Sequence, residues 1–479
     1  MLRAATATLI ASRRYNGKVN ASDTIVAIST PPGRGGIGIV RLSGAQAIDI
    51  ARRLLELHSP LEHGRARLTW ILDPDAAASS APVHSTRIDQ AVVTYFAAPH
   101  SYTAEEVVEI AAHGSPVVLE LLLRGSIACG ARLAEPGEFT QRAFLAGHID
   151  LTQAEAVHDL IAAHTLTQAR QAASQMGGAL SHRVAPIKQN LLALIALLEA
   201  GIDFAEDDVD VAPQAEIARR IDDLVPALTA LEASFVRGRI VHDGLSLAIV
   251  GRPNVGKSSL FNRLVERDRA IVAPNPGTTR DTITERISLG GIPIEVVDTA
   301  GLRDTLEEVE QLGIERSHEA LADAALVLII LDATHPLHSD ERRLLESLEH
   351  RPVLVVMNKS DLTPSGTASH ENLPAALPVL RTSALTGDGL PALRNAIVSL
   401  ATGGAAIEPG VLTSLRHQEA ILGTLEGLSR AADANRRGIP HEMLLLDLYQ
   451  ALAAMDSLTG QTTNEDILTR IFSTFCIGK

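Results

Sequence analysis

The most restrictive spacing of chemistry-bearing residues is Gly251-Arg252-Pro253-Asn254-Val255-Gly256-Lys257-Ser258. It follows a run, Leu245 to Val250, that is apolar apart from Ser246, and precedes the helically spaced Ser259-Leu260-Phe261-Asn262-Arg263-Leu264. Strand, glycine-rich turn and helix in that order are what a phosphate cradle needs. The glycines let backbone N–H groups turn inward around a phosphate. Lys257 places a cation near the β- and γ-phosphates, and Ser258 offers a hydroxyl to Mg²⁺. The helix N-terminus adds partial positive charge. Asn254, Val255, Gly256 and Ser259 complete the loop residues expected against the nucleotide.

Three later stretches extend this site, and each ends an apolar run. Asp298-Thr299-Ala300-Gly301 follows Ile292 to Val297. Asp298 is placed to hold Mg²⁺ through water, and the Gly301 amide to touch the γ-phosphate. Asn358-Lys359-Ser360-Asp361 follows Val353 to Met357. Guanine presents two adjacent donors on its Watson–Crick edge, and the Asp361 carboxylate has two acceptors to meet them. Adenine presents one donor and one acceptor there, so half of that contact is lost. Ser383-Ala384-Leu385 follows Val379-Leu380 and can send a backbone N–H to guanine O6. The implied ligand is GTP or GDP, not ATP, and this part of the chain resembles the translation-factor-like GTPases. The candidate switch loop is Gly277-Thr278-Thr279-Arg280-Asp281, with Thr279 as second Mg²⁺ hydroxyl. Leu302 stands where Ras-type enzymes carry a water-orienting Gln, and an apolar side chain cannot do that work. Arg303, Asp304, Glu307, Glu308 and Glu310 are the nearby candidates.

These loops need a scaffold. At 479 residues the chain is long enough for two to four domains. Hydrophobic residues at 46% and charged residues at 21% are ordinary for a globular protein. A net charge of −15 argues against a broadly basic nucleic-acid surface, and 3% aromatics leave few stacking platforms. Cys129 and Cys476 form neither a zinc motif nor a disulfide framework, as in a reducing compartment. No apolar run in the sequence approaches the ~20 residues of a membrane span. Residues 1–22 lack acids and carry Arg3, Arg13, Arg14 and Lys18, the character of either a mitochondrial transit peptide or a short disordered leader. The protein is accordingly expected in the cytoplasm, or in mitochondria if that leader is a targeting segment.

The expected fold class is multidomain, α/β with all-α. Residues 23–142 read as a compact α+β domain. Thr24 to Ile28 is a strand, Thr30-Pro31-Pro32-Gly33-Arg34-Gly35-Gly36 a tight turn, and Val92 to Phe96 another strand. The spacing from Ala104 to Ile110, with acids in its first turn, predicts a helix, and a second helix is expected from Pro116 to Leu123. Residues 143–243 read as helical, with a capping box at Thr152-Gln153-Ala154-Glu155 and one apolar face made by Leu191, Leu194, Ile195 and Leu198. An acidic break at Asp203 to Asp210 reads as a solvated loop. A mostly parallel, doubly wound nucleotide domain occupies 244–401. Residues 402–479 turn helical again, so the nucleotide domain is expected as an insertion in a helical bundle.

Outside the nucleotide motifs the chain carries Glu135-Pro136-Gly137-Glu138-Phe139-Thr140, Asp150-Leu151-Thr152-Gln153-Ala154-Glu155-Ala156 and a terminal Phe475-Cys476-Ile477-Gly478-Lys479. Together with Thr30 to Gly36 these make the chain, from Asp23 to Lys479, similar to the MnmE (TrmE) family of tRNA-modification GTPases. The resemblance implies an N-terminal tetrahydrofolate-binding domain (5-formyl- or methylene-tetrahydrofolate) that forms a homodimer. It implies a flavoprotein partner, MnmG, in a heterotetramer that adds carboxymethylaminomethyl-type groups to C5 of the wobble uridine of certain tRNAs. By similarity Arg41, Glu109 and Lys479 contact folate, Glu310 positions the attacking water, and Cys476 matters for modification; Arg41 has the alternative of bracing the glycine loop, and Cys476 of being a small hydrophobe. The resemblance also implies K⁺, held by Asn254 and by the loop Ala273, Pro274, Asn275, Pro276, Gly277 and Thr278, although Asn254 can also simply brace its turn. Where the family usually has Asn-x-Lys, this chain has Ala146-Gly147-His148. His148 is shorter than the lysine associated with folate contact and holds a carboxylate more weakly. Ala104 and Ala112 stand where glycines are usual. The alternative function is an RNA- or ribosome-associated GTPase switch without modification chemistry.

Overall fold

The computed structural model describes residues 23–73, 87–203, 213–265, 285–297, 324–348, 351–363, 373, 377–404, 408–461 and 465–479. The described chain divides into two compact units, Met1–Glu155 with Thr459–Lys479, and Ala156–Leu458.

The first unit is built on a six-stranded sheet in the order β3-β4-β5-β2-β1-β6. Its elements are β1 (Ile25–Ile28), β2 (Gly35–Ser43), α1 (Ala47–Leu54), β3 (Ala66–Leu72), β4 (Arg87–Phe96), β5 (Val107–Gly114), α2 (Pro116–Ala128), β6 (Arg132–Leu133) and α3 (Glu138–Leu145). β1 to β5 pair antiparallel and β6 joins β1 in parallel. Val40, Leu42, Val93, Val108 and Ile110 line one face, against Ile50 and Leu54 of α1 and Leu119 and Leu122 of α2.

The helix expected over Ala104 to Ile110 is not there: Val107–Gly114 is a strand paired on both edges, Glu109 lying opposite Thr94 and opposite Arg41. The period-two alternation that buries Val108, Ile110 and Ala112 decided the outcome, in keeping with the β-branched Val107-Val108 pair. The two acids are not a helical first turn but hydrogen-bond acceptors. Glu106 takes the Tyr95 hydroxyl, and Glu105 takes Ser43 Oγ at 2.6 Å.

The tail folds onto this sheet. The helix Glu465–Ser473 delivers Phe472 and Phe475, both buried, over Gly137. Gly137 has φ 70°, and a Cβ there would lie 2.7 Å from the Phe472 carbonyl oxygen, so only glycine fits. Ile477 then bridges to Pro136, and Gly478 packs beside the Ile28 carbonyl.

The second unit carries most of α4 (Leu151–Ala162), then α5 (Leu166–Met176), α6 (Ala179–Asp203) and α7 (Gln214–Asp243). The capping box of α4 sits two residues earlier than expected. Asp150 Oδ1 accepts the Gln153 N–H at 3.0 Å and Gln153 Oε1 accepts the Asp150 N–H at 2.9 Å, while the Thr152 hydroxyl donates to Asp150. An Asp is as good an N-cap as a Thr, and the box is reciprocal only from position 150. α6 is long and apolar enough, by length and composition, to cross a membrane. Its Leu180, Val184, Ile187, Leu191, Leu194, Ile195 and Leu198 instead pack with α7 and with the later α11 (Leu415–Arg436) and α12 (His441–Thr459) in one helical core. The break from Phe204 to Asp210 lies outside the described residues.

Between these helices stand β7 (Leu245–Val250), α8 (Lys257–Val265), β8 (Glu285–Leu289), β9 (Ile292–Val297), β10 (Leu326–Asp332), α9 (Ser339–Ser347), β11 (Val353–Asn358), β12 (Val379–Arg381) and α10 (Leu390–Thr402). The sheet order is β12-β11-β10-β7-β9-β8, parallel throughout except for the β8–β9 hairpin. β10 and β11 are apolar runs buried on both faces, as central strands of a parallel sheet must be. The doubly wound nucleotide fold expected from the sequence is the one observed.

Candidate functional site

The carboxyl ends of the parallel strands gather the loops, the position at which open α/β sheets bind ligands. After β7 the backbone turns through Gly251 at φ 155°, Asn254 at φ 65° and Gly256 at φ 95°. A Cβ on Gly251 would lie 2.4 Å from the Ile330 carbonyl oxygen, and one on Gly256 2.3 Å from Asn358 Nδ2. Both glycines are therefore fixed by close approach as well as by backbone angle. α8 begins at Lys257, whose Nζ folds back to donate to the carbonyls of Gly251 at 2.7 Å and Arg252 at 3.0 Å. Burial pushes its ammonium below the usual lysine range. Ser258 and Ser259 follow on the first turn, and Asn254 is exposed, with no hydrogen bond from its amide to a described residue.

Asn358 is the hub. It is 1% exposed, its Nδ2 donates to the Val255 carbonyl at 2.9 Å, and its Oδ1 accepts the Ala384 N–H at 3.1 Å. One side chain thus ties the phosphate loop, the Asn358–Asp361 turn and the Ser383–Leu385 loop into one piece. The Ala384 N–H, a candidate donor to guanine O6, is engaged by Asn358. Lys359 takes the left-handed φ of 62° and its Nζ donates to Asp332 Oδ2 at 2.6 Å. Ser360 and Asp361 lie in a 3₁₀ turn, Ser360–Leu362, with Asp361 exposed. Ser383 is buried and Leu385 exposed. Arg263 of α8 clamps that last loop, donating to the carbonyls of Ala384 at 3.1 Å and Leu385 at 2.9 Å. Neither Arg263 nor Asp332 was singled out by the sequence. Arg263 occupies an ordinary exposed helical position, and Asp332 only ends an apolar run.

Ala273, Pro274, Asn275, Pro276, Gly277, Thr278, Thr279, Asp298, Thr299, Ala300, Gly301 and Glu310 lie outside the described residues, as do residues 1–22. Among the described residues no group of three or more His, Cys, Asp or Glu could hold a metal.

A second cluster lies in the first unit. Arg41 Nε donates to Glu109 Oε1 at 2.8 Å, and Arg41 Nη1 to the Gly478 carbonyl at 3.3 Å. The Arg41 guanidinium sits 5.6 Å from the centre of the Phe139 ring and 5.9 Å from that of Tyr102. Ser29 Oγ also donates to the Gly478 carbonyl, at 3.2 Å. Burial and the neighbouring Arg41 charge hold the Lys479 ammonium below its usual range, against the opposing pull of Glu109 and Cys476. Arg41, Glu109 and Lys479 are thus brought together, with the exposed Cys476 at the rim. His148 is not joined to them by any hydrogen bond or ion pair among the described residues. It is exposed at the end of α3, where Gly147 at φ 69° and the His148 N–H, donating to the Ala143 carbonyl at 2.9 Å, form a helix-ending turn.

A cleft of about 180 Å³ lies in the second unit where α7 runs into β7, lined among others by Asp159, Gln171, His242, Asp243 and Glu295. His242 meets Asp159 at 3.0 Å and Asp243 at 2.7 Å. Those two hydrogen-bonded carboxylates, Asp159 above all, push its pKa up to about 10 against the opposing effect of burial.

Comparison with known proteins decides the family. Residues 24–148 match the family described as GTP-binding protein TrmE N-terminus, and residues 151–476 the MnmE helical domain. A relative named tRNA modification GTPase MnmE, from Koribacter versatilis, is 51% identical, covering 96% of this chain and 100% of its own length. The chain belongs to the MnmE (TrmE) family. A second MnmE, from Moorella thermoacetica, is 41% identical over 95% of this chain and 99% of its own. Among solved structures, the G domain of the T. maritima FeoB iron transporter is 31% identical, covering 33% of this chain and 98% of that one, with a TM-score of 0.25. These curated relatives therefore match nearly the whole length of the chain.

Proposed function

We propose that this chain is a tRNA modification GTPase that hydrolyses GTP and, with a flavoprotein partner of the MnmG kind, modifies C5 of the wobble uridine of certain tRNAs. The observation that carries the reading is Asn358. Its two bonds weld a phosphate loop to a guanine-reading turn, in a chain whose MnmE relatives match it end to end. Lys257, Ser258 and the loop amides hold the phosphates, and Asp361 reads the base. Mg²⁺ fits Ser258, on the first turn of α8, with Thr279 and Asp298 as its further partners; the ion supplies charge stabilisation at the phosphates. K⁺ fits Asn254, whose left-handed, exposed amide bonds no described residue. By resemblance to the family, Ala273, Asn275 and Thr278 would complete that set and Glu310 would orient water.

The Arg41–Glu109–Lys479 cluster, with Tyr102 and Phe139 beside it, suits a folate. It offers two cations for carboxylates, one carboxylate for ring donors and two aromatic rings. The folate supplies a one-carbon unit, with Cys476 at the rim. His148 bears on this site only as a peripheral residue. The functional divisions are 23–142 for folate and dimerisation, 143–243 and 402–479 for the helical part, and 244–401 for nucleotide. The homodimer and the assembly with the flavoprotein act in the cytoplasm. Nucleoside analysis of tRNA from cells lacking the protein tests the whole reading. Loss of the wobble-uridine modification is expected, and an unchanged nucleoside profile refutes it. Cys476→Ser should lower modification while GTP turnover stays within about twofold.

A further inference from the structure

Asp332 ends β10 and lies directly opposite Asn358, the last residue of β11. The two strand ends are locked together, the Ala333 N–H donating to the Asn358 carbonyl at 2.9 Å. One oxygen of Asp332 is fully committed to its own loop. Oδ1 accepts the Thr334 N–H at 2.9 Å and the Thr334 hydroxyl at 2.6 Å. The carboxylate plane is therefore fixed before Lys359 reaches it. The other oxygen, Oδ2, takes Lys359 Nζ at 2.6 Å, with His335 3.7 Å away. Lys359 starts from a left-handed backbone and its side chain is only a third exposed, Asp332 14%. Its four-carbon stem is thus stretched in one direction, from the Asn358–Asp361 turn back to the end of β10. A lysine stem is among the most rotamer-rich side chains, so fixing it in advance removes an ordering cost from any ligand that packs on it.

We propose that Asp332 is a positioning residue for the guanine nucleotide, holding the Lys359 stem as a preformed shelf beside the base while Asp361 reads the base edge. The inference rests on the reading of Asn358–Asp361 as the guanine site. Asp332 touches no substrate atom and acts through Lys359. When the stem is free, only the fraction of chains with Lys359 in the right rotamer is competent, and apparent affinity falls by that fraction. With several rotamers open to lysine, that fraction is about one tenth.

The test uses the full-length protein with fluorescent GDP and steady-state GTP hydrolysis. Asp332→Asn keeps an acceptor for Thr334 and removes the charge that holds Lys359. It should weaken GDP and raise KM for GTP about tenfold, leaving kcat within twofold. Asp332→Glu should restore part of the loss, and Asp332→Asn placed on Lys359→Ala should add nothing further. A lowered melting temperature with unchanged GDP affinity and KM would make Asp332 a structural residue and overturn the proposal. Tighter nucleotide binding in Asp332→Asn would also overturn it, because Asp332 would then be a competitor for Lys359. Asp361→Asn and Lys359→Ala separate the two levels of the argument. If neither changes GDP affinity, the guanine-site reading itself fails; if both weaken it and Asp332→Asn does not, only the positioning role fails.

Discussion

Ala104 holds a left-handed backbone, φ 62°, in the turn before β5. An alanine there, unlike a glycine, carries a cost in backbone strain. An L-residue in this region carries roughly 1–2 kcal/mol of strain between Cβ and the carbonyl. Ala104→Gly removes that strain but gives the unfolded chain more freedom, a loss of about 0.4–1 kcal/mol. The difference is a net stabilisation of about 0.5–1 kcal/mol. Trp70, the sole tryptophan, lies on β3 under the Arg87 guanidinium, 5.1 Å from the ring centre, and reports unfolding of the first unit alone. For a urea slope of ~1–3 kcal/mol per molar, the fluorescence midpoint should rise by roughly 0.2–1 M. Ala104→Val should lower it, since a β-branched residue tolerates positive φ worst. A midpoint that stays or falls in Ala104→Gly, or that is indifferent to Val, refutes the strain argument.

Gly238→Ala should destabilise the helical core, because the new Cβ would lie 2.0 Å from the Leu412 carbonyl oxygen and backbone must move. Such overpacking costs about 1–3 kcal/mol, to be seen as an earlier far-UV transition with the Trp70 signal unmoved. His242 is raised to about 10 by Asp159 and Asp243, so its stabilisation is full below its ordinary pKa of 6.5 and lost as pH climbs through about 10. Thermal midpoints measured from pH 6.5 to 10 should therefore fall more steeply in the parent than in His242→Gln. Hydrolysis should run several-fold faster in KCl than in NaCl at matched ionic strength, with the difference gone in Asn254→Ala; equal rates in both salts remove the ion from the mechanism.

The Gly251–Ser258 turn and the Asn358–Asp361 and Ser383–Leu385 stretches were legible because each has a fixed order of residue types at the end of an apolar run, while Asp298–Gly301 and the switch loop lie outside the described residues. The strand β10 has an apolar run just as strong, Leu326 to Leu331, but no loop motif follows it, so nothing drew attention to Asp332. Arg263 and the Asp150–Gln153 cap depend on which neighbour a side chain meets, and spacing alone does not say. Val107–Gly114 was misjudged because two acids before a short apolar run suit both a helix start and a strand entry. Pairing with the neighbouring β4 and with β2, distant in sequence, settled it. The gathering of Arg41, Glu109 and Lys479 was legible only through family resemblance, since no local pattern links residues so far apart.

That distance bears on the order of events during synthesis. Arg41 and the Gly478 carbonyl it binds are separated by 437 residues. At ~5–20 residues per second, roughly 20–90 s pass between the appearance of one partner and the other. The seat for Phe472 and Phe475 forms only once Gly137 has been made, and at the same rate it then stays uncovered for roughly 15–70 s, until Phe472 is added. A nascent chain of this protein therefore carries an apolar slot that its own last helix must reach before any other hydrophobic segment does, and chaperone demand should be greatest late in translation.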